Sequence, residues 1–119
     1  MTQPGKRLRE GRNELIKEQL RKGSTVAHRS SGWSLWPRVR PNDLCVYEPV
    51  SDDGMVKQGD IVFCQVRPSE RYYAHLVLKK EWHRDAHAWK YWISTGRQSN
   101  LAGYCWISDV YGRLTKVLK

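Results

Sequence analysis

After Gly23 the chain never returns to a helical period, and this limits its fold more than any other feature of the 119 residues. From Ser24 onward, short runs rich in Val, Ile, Tyr and Trp alternate with Gly, Pro, Asn, Asp and Ser. Runs at 25–29, 44–50, 61–66, 71–82, 89–94, 104–107 and 110–118 read as strands. Strands that follow one another without intervening helical patterns give an antiparallel, mainly β core. The run 61–66 is apolar throughout and is expected to be buried on both faces. Gly112 suggests a bulge or tight bend in the last strand.

Residues 6–22 form the one helical pattern, with Leu8, Leu15, Ile16 and Leu20 as a narrow apolar stripe. Gly23 stops it, and Arg21 and Lys22 suit its C-terminal dipole. This gives two parts, a basic helix or arm at 1–23 and a β domain at 24–119.

Charge follows the same division. The net charge is +9, and residues 1–42 hold ten basic against three acidic side chains. Such a segment favours acidic partners, and nucleic acid is a candidate for Arg9, Arg12, Lys17, Arg38 and Arg40. No second helix follows closely, so a helix-turn-helix reader is not supported. No apolar run approaches the roughly 20 residues of a membrane span. The basic N-terminus lacks the apolar core of a secretory signal. Three well-separated cysteines, Cys45, Cys64 and Cys105, without a CxxC pair, are expected to be free and buried. A soluble cytoplasmic protein is the expectation. His83, Asp85 and His87 lack a good fourth partner and lie in a polar loop, so no metal and no cofactor are expected.

The chemistry centres on Ser31-Gly32-Trp33-Ser34-Leu35-Trp36-Pro37. A serine in a small-residue turn ahead of a rigid proline can project its hydroxyl from a surface. It needs a base. His75 lies in the strand 71–82, whose alternation sets Tyr73, His75, Val77 and Lys79 on one face. A neutral imidazole can take the hydroxyl proton at neutral pH. Lys79 is the alternative base and would need burial to serve. Trp33 and Trp36 flank Ser34 and can line a groove or, with Arg38 and Arg40, stack on bases. Core packing is expected for Trp82, Trp89, Trp92 and Trp106.

Four motifs follow one another. They are Gly32-Trp33-Ser34-Leu35-Trp36-Pro37, Lys57-Gln58-Gly59-Asp60-Ile61-Val62-Phe63, Tyr73-Ala74-His75-Leu76-Val77, and Asn100-Leu101-Ala102-Gly103-Tyr104-Cys105-Trp106 with Val110-Tyr111-Gly112-Arg113. In this order they resemble the LexA / signal-peptidase-like serine peptidase clan, over about residues 23–118. The resemblance implies a compact antiparallel β fold of that type. It implies Ser34 as nucleophile, His75 as general base, and backbone N–H groups near Ser34 or the Ser31 hydroxyl as oxyanion donors. It also implies an extended peptide or protein segment as substrate. Leu35 stands where the clan has Met. Arg97 stands where some members carry an orienting Asp, so no third triad member is identified. The clan's membrane anchor and self-cleavage site have no counterpart here. The alternative is a catalytically inactive member of the fold that binds nucleic acid or protein.

Overall fold

The computed structural model describes residues 4–30, 38–67, 71–94 and 100–119, with the backbone alone at 4–11 and 71–73. Helix α1, Pro4–Arg21, precedes seven strands. These are β1 (Val26–Arg29), β2 (Leu44–Pro49), β3 (Ile61–Val66), β4 (Arg71–His83), β5 (Ala88–Ser94), β6 (Leu101–Trp106) and β7 (Val110–Leu118). They form one sheet in the order β1-β2-β7-β3-β4-β5-β6. Each pairing is antiparallel, so the protein is mainly β with one N-terminal helix. No helix among the described residues is long and apolar enough to cross a membrane.

Strand β3 divides the core, because alternate side chains leave a strand on opposite sides. Ile61 and Phe63 join Ile16, Leu20, Tyr47 and Tyr111 in a cluster under α1. Val62, Cys64 and Val66 join Val77, Tyr91, Ile93 and Cys105 in a second cluster on the other side. The expected two-sided burial of this strand is present, and both clusters depend on it.

The helix is docked. Ile16 and Leu20, one turn apart, are 5% and 2% exposed, whereas Leu15 points to solvent at 60%. The apolar stripe is therefore narrower than expected, because Leu15 falls off the i, i+4 line. Gly112 permits the close approach: a Cβ there would stand 2.8 Å from Leu20 Cδ1. Beside it β7 carries an extra residue, as Phe63 pairs with Gly112 and Cys64 with Val110. Lys17 Nζ and Arg21 Cζ lie 5.6 and 5.8 Å from the centre of the Tyr111 ring. These two cations therefore sit at the edge of the docked face.

The second cluster is enclosed because β6 returns to β3. Arg67 N donates to Tyr104 O at 2.8 Å and Tyr104 N to Arg67 O at 3.2 Å. Strands β3 to β6 thus curl into a small barrel. Asp109, 4% exposed, fastens the seam by accepting from Arg67 Nε and Nη2 at 2.9 and 3.0 Å and from Trp106 N at 3.0 Å. All three cysteines are free and buried.

Candidate active site

His75 sits on β4 directly opposite Val62 of β3. Paired residues share a face of the sheet, so the imidazole is on the barrel side with Val62 and Val77. It is 7% exposed. Burial disfavours the charged ring and pushes its pKa down to about 4. His75 is therefore neutral at pH 7, the form a general base requires. Its Nδ1 is buried.

The same burial sets an acid limit on stability. The unfolded ring has a pKa near 6.5 and the folded ring about 4. Between these values the unfolded chain binds a proton that the folded one does not. Stability is then full above pH 6.5 and falls by about 3 kcal/mol as pH drops to 4. Urea unfolding at pH 7 and pH 4.5 should show this loss, and His75→Gln should remove most of it. Equal slopes with pH for the two proteins would refute the desolvation account. Asp43, whose carboxyl is held below its ordinary value chiefly by the Arg40 N–H, acts in the same direction only at lower pH.

Ser34 lies outside the described residues, as do Ser31, Trp33, Trp36 and Arg97. The chain on either side of residues 31–37 is well tied. Ser30 N donates to Asp43 O at 2.9 Å, and Asn42 N donates to Ser30 O at 3.0 Å. Asn42 takes a left-handed conformation, φ 71°, which asparagine tolerates. Asp43, 7% exposed, closes this turn by accepting from Arg40 N at 2.9 Å and Lys119 Nζ at 3.2 Å. On the exit side, Arg38 Nη1 donates to Gly59 O at 2.5 Å. Gly59 N in turn donates to Val77 O at 2.9 Å. The exit of the serine segment is thus joined through one turn to the strand that carries His75. Sequence reading missed Asp43. The signal was its place in Pro41-Asn42-Asp43, an Asx-type turn that ends at the first residue before β2.

Lys79 does not share the face of His75. The pairing of β4 with β5 shifts between Val77 and Lys79, so Leu78 is an extra residue and the alternation resets. Lys79 is 61% exposed in its side chain and paired with Glu81 at 2.7 Å. Lys80 takes the inward position instead, donating to Asp53 O and Val56 O at 2.6 and 2.9 Å.

Of the cations assigned to nucleic acid, Arg12 and Arg40 are exposed, and the side chain of Arg9 lies outside the description. Lys17 is held by Glu14 at 3.8 Å and by Tyr111, and Arg38 by Gly59. His83 Nδ1 accepts from Ala86 N at 3.2 Å, which closes the β4–β5 turn. Among the described residues no three potential ligands cluster to hold a metal.

The tryptophans correct the sequence reading. Trp89 packs against the second core cluster as expected, but Trp82 is 46% exposed, and Trp92 and Trp106 are partly exposed. The core aromatics are Tyr47, Phe63, Tyr91 and Tyr111. In β5 and β6 the inward positions belong to Tyr91, Ile93 and Cys105, which leaves Trp92, Tyr104 and Trp106 on the outer face.

No family model, no curated protein and no solved structure matches the chain.

Proposed function

We propose that the chain is a soluble serine peptidase-like protein of the LexA / signal-peptidase-like fold, acting on an extended peptide segment through Ser34 and His75. The observation that carries this reading is the state of His75. It is buried and neutral, and its strand is bonded through Gly59 to the exit of the serine segment. Ser34 is four residues from Arg38, so full extension carries its Cα at most about 14 Å from that anchor. In the reaction His75 takes the Ser34 Oγ proton as the oxygen attacks the peptide carbonyl. Backbone N–H groups near Ser34 or the Ser31 hydroxyl stabilise the oxyanion, and His75 returns the proton to the leaving amine. Strand β1 ends the sheet and leads directly into Ser30, so its free edge is where a substrate strand would add. Three free, buried thiols suit a reducing cytoplasmic setting.

A serine-directed fluorophosphonate tests the reading. One equivalent should attach to Ser34, located by peptide mass, and Ser34→Ala should remain unlabelled. An unreactive wild-type protein, or equal labelling of the alanine variant, would overturn the assignment.

A further inference from the structure

The outer face of β4, β5 and β6 has no part in the Ser34–His75 reading. Its composition is unusual for a sheet surface. The register sets Lys79 beside Trp92, and Trp92 beside Tyr104. The next row is Glu81, Lys90 and Trp106, and His83 follows opposite Ala88. Four rings form a continuous line across the strands. Trp92 to Tyr104 is 5.9 Å between centroids, Tyr104 to Trp106 is 5.9 Å, and Trp106 to His83 is 5.5 Å. They meet at 62°, 77° and 83°, edge to face, so no ring is stacked flat upon its neighbour. Lys90 stands among them, its ammonium 4.3, 4.1 and 5.8 Å from the centres of Trp92, Tyr104 and Trp106. Among the described residues helix α1 packs chiefly on β1, β2 and β7, at the other end of the sheet.

A partner for such a face must offer flat π surfaces and negative charge together. On this face and in the turn beside it, Lys79, Arg84 and Lys90 stand with Glu81 and Asp85, and His83 and His87 besides, while Lys80 points inward. The whole chain is at +9. We propose that this face binds single-stranded nucleic acid, with bases stacking on Trp92, Tyr104 and Trp106 and a phosphate held by Lys90. Unpaired bases expose the faces that aromatic side chains stack on, and each backbone unit supplies an anion for a nearby lysine. A four-stranded sheet that presents outward aromatics to two or three bases is an established physical solution to this problem. An anionic membrane would use tryptophan and lysine as well, but it requires an apolar surface to insert. Here Lys90 lies among the rings, and the ion pair of Lys79 and Glu81 ends the rows beside them. Insertion would bury those charges.

The experiment is fluorescence anisotropy of a fluorescein-labelled homopyrimidine single strand about 12 nucleotides long, within the usual site size, titrated with the full chain at several salt concentrations. Saturable binding is expected, with the matching duplex bound less tightly because its base faces are hidden. Trp92→Leu and Trp106→Leu should each weaken binding about tenfold, since loss of one stacked base costs a factor of this order. Trp106→Phe keeps a π face and should bind within about threefold of wild type, which separates stacking from a general packing defect. Lys90→Ala should reduce the slope of log affinity against log salt by about 0.7. Absence of binding at low salt would overturn the proposal, as would equal affinity for the duplex or unchanged affinity in the two leucine variants. Binding to phosphatidylserine vesicles that those variants abolish, with oligonucleotide affinity unaltered, would assign the face to a membrane instead.

Discussion

Replacing His75 with glutamine is expected to lower the rate of peptide hydrolysis by about 100- to 10,000-fold, the usual contribution of a positioned general base. The loss should fall on kcat and leave KM nearly unchanged, because the proton is transferred only in the reacting complex. Glutamine preserves a polar group at a 7% exposed position and offers no basic nitrogen. The wild-type pH profile gives a second, independent check. Since burial pushes the ring to about 4, the acid limb of kcat/KM should lie well below the pH 6.5 of an ordinary histidine. The native fraction must be measured in parallel, because the same residue weakens the fold in acid. An acid limb near 6.5 in fully folded protein would mean that the catalytic ring is hydrated, and the desolvation argument would fail. A glutamine variant with wild-type kcat would remove His75 from the chemistry.

The fold was legible wherever a local signal and a tertiary demand agreed. Gly23 stops α1 because a left-handed residue ends the helix, here at φ 90°. Strand β3 announced its two-sided burial by an unbroken apolar run, and each side of it received a core. The error on β4 has a plain cause, which is that a face assignment survives only until a bulge. A single extra residue at Leu78 exchanged the expected positions of Lys79 and Lys80. No residue type at Leu78 marks that shift, and it is fixed by pairing with β5.

Trp92 and Trp106 were misplaced for a different reason. In residues 89–93, Trp-Lys-Tyr-Trp-Ile, both parities carry large apolar side chains. A strand without polarity contrast does not reveal which side faces the core. Closure of the barrel decided it, and closure rests on the contact between β3 and β6, which are separated in the chain by two whole strands. The candidate site was half legible. His75 was singled out by its place after the Gly59-Asp60-Ile61-Val62 strand, and the structure puts it on β4 opposite Val62. The ties that hold the serine segment's flanks, Ser30 to Asp43 and Arg38 to Gly59, depend on contacts that sequence spacing does not express.

Gly103→Val is expected to cost more than about 4 kcal/mol, the range reserved for failures of the core or backbone. A Cβ built on Gly103 would overlap the carbonyl oxygen of Arg67 and stand 2.8 Å from Val66 Cγ1. Neither is the free end of a flexible side chain. Relief requires β6 to leave β3, and that breaks both hydrogen bonds between Arg67 and Tyr104. It also strains the Asp109 bridge, which joins Arg67 to the turn after β6. The inner cluster then admits water to Cys64 and Cys105, which are both buried in it. Thiol reactivity can therefore tell local opening from global unfolding. With urea unfolding as the stability measure, an aromatic disulfide reagent should label Cys64 and Cys105 rapidly in the variant under native conditions. Cys45, in the separate cluster under α1, should react more slowly. Stability within about 1 kcal/mol of wild type, with both inner thiols protected, would mean that the seam tolerates a branched side chain and that the barrel is not closed there. An opened seam would also hydrate the inner face of β4. The His75 ring would return toward pH 6.5, since the burial that lowers its pKa would be lost.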